Sequence, residues 1–119
     1  MKNSEISKIS KILFEHKLKK TGLYSLNDMK PSNIVDAYRI QNNLKIHYLT
    51  LKNNICIGKK IGCTSKVAQA QMNVNEPFYG NLFSKYSAKN INRLNSKHFF
   101  EPFVEPEISF RIKDDINIS

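Results

Sequence analysis

The sequence predicts a mixed α/β chain, with helices first and strands after them. Three observations carry that prediction. Apolar residues recur at helical spacing through residues 4–20 and again through 31–50. The period shortens to that of a strand at "ICIGKKIGC", residues 55–63, and again at "PFVEPEISFRI", residues 102–112. At 119 residues the chain is one domain by size and can build a single modest core. Within it we distinguish an N-terminal helical and α/β region, 1–75, from the start of a β region, 76–119.

The first helix is "SEISKISKILFEHKLKK", in which Ile6, Ile9, Leu13 and Lys17 form one stripe with Ile12 and Phe14 beside it. Ser4 is placed as its cap. Lysines enrich the last turn, where the helix dipole favours them, and Thr21-Gly22 is the stop. The second helix follows Pro31, Ser32 and Asn33, with Ile34, Ala37, Tyr38, Leu44 and Leu49 as its apolar face and Asn53-Asn54 as the turn after it. Residues 55–63 are short, β-branched and bounded by turn residues, hence a strand. Thr64-Ser65 caps a short helix, "SKVAQAQM", expected to pack through Val67, Ala68 and Met72. "NVNEPFYGNLF" is expected as a loop punctuated by Pro77 and Gly80. Residues 82–100 are expected to be irregular, the run around Glu105 and Glu107 a strand, and "KDDINIS" its exit.

Composition removes several function classes. The chain is 40% hydrophobic and 24% charged, a globular balance. Its formal charge of +9 invites a nucleic-acid reading, but only Lys17, Lys19 and Lys20 cluster, and no aromatic–basic signature or zinc-finger spacing accompanies them. Cys56 and Cys63 are the two cysteines, seven residues apart without a nearby histidine, which fits a reducing compartment better than a disulfide scaffold or a zinc site. Lys8, Lys11 and Glu15 interrupt any signal-peptide run, and no stretch reaches membrane-spanning length. The expectation is a cytoplasmic protein without nucleic-acid or membrane partners.

Two features could carry chemistry. Glu105 and Glu107 stand at i and i+2, so on a strand they share a face, while Val104, Pro106, Ile108 and Phe110 share the other. Two adjacent carboxylates repel and raise one another's pKa unless a cation joins them, and hard divalent ions favour oxygen ligands. A solvated strand face would tolerate the same pair, and on spacing alone it is the commoner arrangement. In "GKKIG", Gly58, Lys60 and Gly62 share a face, leaving the Lys60 ammonium flanked by residues without side chains and open to a ligand. Such a lysine can act as an electrostatic clamp or proton donor; it is equally an exposed lysine on an edge strand. His16, His47 and His98 are isolated and read as surface or boundary residues. Asp114-Asp115 reads as a solvated turn, and no serine or cysteine sits in a nucleophile elbow.

The order of the pieces is more specific than any one of them. "DAYRIQ" (36–41), "IGKKIGCTSKVAQAQMNVNEPFYGNLF" (57–83) and "PFVEPEISFRIKDDI" (102–116) together resemble the 2-keto-4-pentenoate hydratase family, within the fumarylacetoacetate hydrolase superfamily. The resemblance implies the opening portion of a fumarylacetoacetate-hydrolase-type mixed β fold, with 76–119 the start of an incomplete metal-binding β domain. It implies Mg²⁺ or Mn²⁺ held by Glu105 and Glu107, with Lys60 matching an active-site lysine. The implied reaction adds water to a 2-hydroxy-2,4-dienoate in meta-cleavage breakdown of aromatic compounds; related members decarboxylate 4-oxalocrotonate or hydrolyse acylpyruvates. Family members are typically homo-oligomers.

Two departures from the family pattern accompany the resemblance. The family's third ligand, another glutamate, and most of its β domain lie beyond the last residue here, so a truncated chain is expected, completed by a C-terminal half or surviving as an inactive remnant or interaction module. Asn75 stands where aspartate is common, and Phe78 occupies a loop that is acidic in many members.

Overall fold

Glu5 starts the first helix. Its carboxylate reaches back to the Lys2 backbone N–H at 2.7 Å, so α1 runs Asn3–Lys19 and Ser4 lies inside it rather than capping it. The helix ends as Lys20 turns left-handed (φ 53°), one residue before the expected stop. The second helix, α2 (Ile34–Leu49), begins where Asn33 accepts the Asp36 N–H at 2.8 Å. Strand β1 covers Cys56–Gly62, and α3 (Lys66–Gln71) is capped by Ser65 accepting from Ala68 N at 3.1 Å. All of this is seen in a computed structural model that describes residues 1–23, 25, 29–89 and 93–113.

The expected loop after α3 holds a strand. Phe78–Phe83 forms β2, antiparallel to β1, with Lys60 opposite Gly80 and Gly62 opposite Phe78. Pro77 and Gly80 read as loop punctuation, yet three of the six strand residues are aromatic, and a hydrogen-bonded partner satisfies their backbone. The reverse correction applies to residues 103–112. They carry strand-like alternation but pair with no other strand among the described residues, and a lone strand has no ladder to hold it. The chain there is bare, with Phe103 90% and Val104 96% exposed. Two short 3-10 turns, Ser84–Tyr86 and Ser96–His98, are the regular structure seen between the sheet and that segment among the described residues. Asp114 and Asp115 lie outside the described residues. The architecture is thus mixed α/β, three helices and a two-stranded sheet among the described residues.

The core sits between α1 and α2. Ile6, Ile9 and Ile40 are buried, with Met1, Leu13 and Met29 packed around them. Of the face expected on α2, Ile34 and Leu49 are exposed; the buried positions are Asp36, Ile40 and Tyr48. Asp36 tolerates burial because the Met1 ammonium (2.8 Å) and the Arg39 guanidinium (2.7 Å) both bind its carboxylate. The ammonium first, then Arg39, holds its pKa below the usual carboxylate value. His47, expected as a surface or boundary residue, lies in this helix interface. Its ring stacks on Phe14 at 5.5 Å, and its Nε2 is 3.3 Å from the buried Ser10 hydroxyl. Tyr48 is the hub of the second cluster, touching Phe14, Phe83 and Tyr86, and burial pushes its hydroxyl up to about 12.

Buried amides join these layers, one of them on α3, where Val67, Ala68 and Met72 were expected to pack. Val67 of α3 and Met72 just after it are exposed, while Gln69 is buried and donates to the Cys63 carbonyl at 2.9 Å. Asn54 is buried as well. It donates to the Tyr48 carbonyl at 2.8 Å and accepts the Lys85 N–H at 2.9 Å, tying the end of α2 to the end of β2. Replacing Asn54 with alanine removes the acceptor of the Lys85 N–H and leaves the Tyr48 carbonyl with the Leu51 N–H alone, and chemical denaturation should show a loss of about 2 kcal/mol. An unchanged unfolding midpoint would mean water replaces the amide at no cost.

Candidate active site

The two faces of the sheet differ in their neighbours. On one, Tyr79 and Asn81 meet α2: the Tyr38 and Tyr79 rings stack at 4.7 Å, and the Tyr38 hydroxyl accepts the Tyr79 N–H at 3.3 Å. Gln41 donates to the Tyr79 carbonyl at 2.6 Å and accepts from the Asn81 amide at 3.4 Å. The "AYRIQ" stretch therefore has a physical task here, since its tyrosine and glutamine clamp β2 to the helix. Tyr38 was read from periodicity as part of the apolar face; Gln41 was not, and its signal was its place three residues on, on the same helix face.

The other face carries Gly58, Lys60 and Gly62 of β1, with Leu82, Gly80 and Phe78 opposite them. Glycine leaves the space around Lys60 open: a side chain at Gly80 would meet nothing within 4 Å, and one at Gly58 would meet only Leu82 at 3.9 Å. Gly62 has a different reason to lack a side chain, because a Cβ there would lie 3.1 Å from the Phe78 ring. The Phe78 departure is thus accommodated by the glycine across the ladder.

Onto this open face come both glutamates. Lys60 Nζ lies 2.7 Å from Glu105 Oε2 and 2.9 Å from Glu107 Oε1. The strand assignment fails, yet the two glutamates, two residues apart, still both point at one cation. Their hydrogen bonds, from Glu105 first and then Glu107, raise the Lys60 pKa, while the ammonium lowers that of Glu105. The contact is solvated, with Lys60 44%, Glu105 67% and Glu107 47% exposed. It therefore contributes little to stability and is readily exchanged.

The donor chemistry fits a hard divalent ion in part. Two carboxylates already converge on a single positive centre, as two oxygen ligands of a six-or-more-oxygen shell would. Among the described residues no group of three or more His, Cys, Asp or Glu side chains gathers as a metal cage. A cleft of about 810 Å³ lies elsewhere, between the start of α2 and the turn before β2, lined by Asn33, Ala37, Asn75, Glu76 and Phe78 among others. Asn75 and Phe78 line that cleft, and Lys60 and the glutamates do not. No helix among the described residues is long and apolar enough to cross a membrane.

No protein-family model matches the chain. Individual proteins do. The 2-keto-4-pentenoate hydratase of Paraburkholderia xenovorans (strain LB400) is 36% identical over 93 residues, 77% of this chain and 34% of that protein. The 2-hydroxyhexa-2,4-dienoate hydratase of Comamonas testosteroni is 36% identical over 100 residues, 79% of this chain and 36% of that protein. This chain is a relative of the 2-keto-4-pentenoate hydratases. A 4-oxalocrotonate decarboxylase of Pseudomonas sp. (strain CF600) matches too, 32% identical over 87 residues, 73% of this chain and 33% of that protein. The chain spans about a third of the length of the curated relatives it matches. Those relatives are enzymes, hydratases and decarboxylases, and the hydratase likeness agrees with the motif order on which the expectation rested.

Proposed function

We propose that the chain serves the hydration of a 2-hydroxy-2,4-dienoate to a 4-hydroxy-2-oxo acid, in meta-cleavage catabolism of aromatic compounds. It would do so as part of a fumarylacetoacetate-hydrolase-type β fold. The observation that carries the reading is the convergence of Lys60, Glu105 and Glu107, at the three positions where the motifs match the family's site. Glu105 and Glu107 would hold Mg²⁺ or Mn²⁺, and the remaining oxygens would come from water, the substrate and a further carboxylate of a second segment or subunit. The ion would supply Lewis-acid polarisation of the substrate's carboxylate and 2-oxygen. Lys60, on its glycine-lined face, would attract the acid electrostatically and deliver a proton as the dienol ketonises. Decarboxylation of a 4-oxalocrotonate-type acid is the second reading, supported by the decarboxylases among the relatives.

The test is a Mn²⁺ titration of the chain by calorimetry, with oxalate present as a substrate-like chelator. Binding is expected, and Glu105→Gln should weaken it about tenfold or more, the scale of one charge-assisted contact. Equal affinity in the two proteins removes Glu105 from the metal site.

A further inference from the structure

Residues 101–113 are exposed throughout and lie in no helix or strand, and their polar ties to the rest of the chain, among the described residues, are the two contacts from Lys60. Those contacts use the same carboxylates that the metal reading requires. An ammonium at 2.7 and 2.9 Å occupies the centre toward which both glutamates point, and a divalent cation seated between the same oxygens would meet it at close range. Two positive centres cannot share that position: their repulsion is strong at such separations, and each carboxylate oxygen facing inward serves one of them at a time. The pairs are exposed, so the ammonium can leave at small cost.

Resting on the metal reading above, we propose that Lys60 is an internal counter-ion that competes with the divalent cation for Glu105 and Glu107, so that metal binding displaces the ammonium and unlatches residues 101–113 from β1. Without metal, the site neutralises itself. With metal, Lys60 is set free on the glycine-lined face, available to a substrate anion. The exchange thereby couples occupancy of the carboxylates to availability of the lysine, and it predicts a sign that an ordinary supporting residue would not give: removing Lys60 should strengthen metal binding.

Two measurements on the full chain test this. In calorimetry with Mn²⁺ alone, Lys60→Met should bind about three- to tenfold more tightly than wild type, the scale of two exposed ion pairs. Lys60→Arg, which keeps the charge, should stay within about twofold of wild type. Independently, a zero-length carbodiimide should join Lys60 to Glu105 or Glu107 in the metal-free chain, detected by mass spectrometry as a linked peptide, and saturating Mn²⁺ should suppress that link. If Lys60→Met binds Mn²⁺ no better than wild type, or the cross-link persists at saturation, the exchange is wrong while the metal site stands. If neither protein binds Mn²⁺, the metal reading and the exchange fall together. Absence of the cross-link in the metal-free chain also overturns the exchange, because the ammonium would then not be the occupant.

Discussion

Ile9→Ala is expected to destabilise the chain by about 3 kcal/mol, the usual cost of cutting a buried isoleucine to alanine. Ile9 is 0% exposed and sits between Ile6 and Ile40 in a cluster that holds α1 on α2. So few fully buried apolar residues leave little reserve, and each carries a large share of the core. The melting temperature should fall by roughly 10–15 °C. The control is Ile46→Ala, on the same helix pair but 61% exposed, which should change stability by less than about 0.5 kcal/mol. Indistinguishable melts for Ile9→Ala and wild type would show that the cohesion of the helices lies elsewhere, with the Tyr48 cluster as the next candidate.

The second large effect concerns turnover. In an assembly active on a 2-hydroxy-2,4-dienoate, Lys60→Met should lower turnover by about 100-fold, the lower end of what a positioned proton donor contributes. Its KM should change less, because the metal-bound end of the substrate would remain held. The same substitution is expected to improve Mn²⁺ affinity, so the two readouts move in opposite directions. A residue that merely supported the fold would lower both. Turnover equal to wild type would remove Lys60 from the chemistry.

The parts of the structure legible in the sequence are those set by local rules. Asn33 and Ser65 cap helices as read, since a side-chain oxygen next to a free N–H needs no tertiary information. The Ile6–Ile9 stripe follows from period alone. Failures occur where a distant partner decides. Asp36, Asn54 and Gln69 are polar and buried because specific groups far along the chain, or a carbonyl at a turn, satisfy them, and apolar counting assigns such positions to the surface. β2 was hidden by Pro77 and Gly80, because what makes it a strand is the ladder offered by β1. Residues 103–112 fail in the opposite sense, having the alternation without a neighbour. The Lys60–Glu105–Glu107 triad was legible as three residues and two faces; that the two faces meet is a fact of the third dimension.

The bare segment from Phe103 to Ile112 has a colloidal consequence. Phe103, Val104, Ile108, Phe110 and Ile112 are all well exposed, which is the composition of a self-pairing edge. Glu105 and Glu107 interrupt that run with like charge, so two copies laid side by side would repel at the centre of the strand. The carboxylates proposed as metal ligands would also be gatekeepers against stacking, and neutralising them, by acid or by substitution, would remove both properties at once. Selection for a dispersed chain and selection for a metal ligand would then act on the same two side chains.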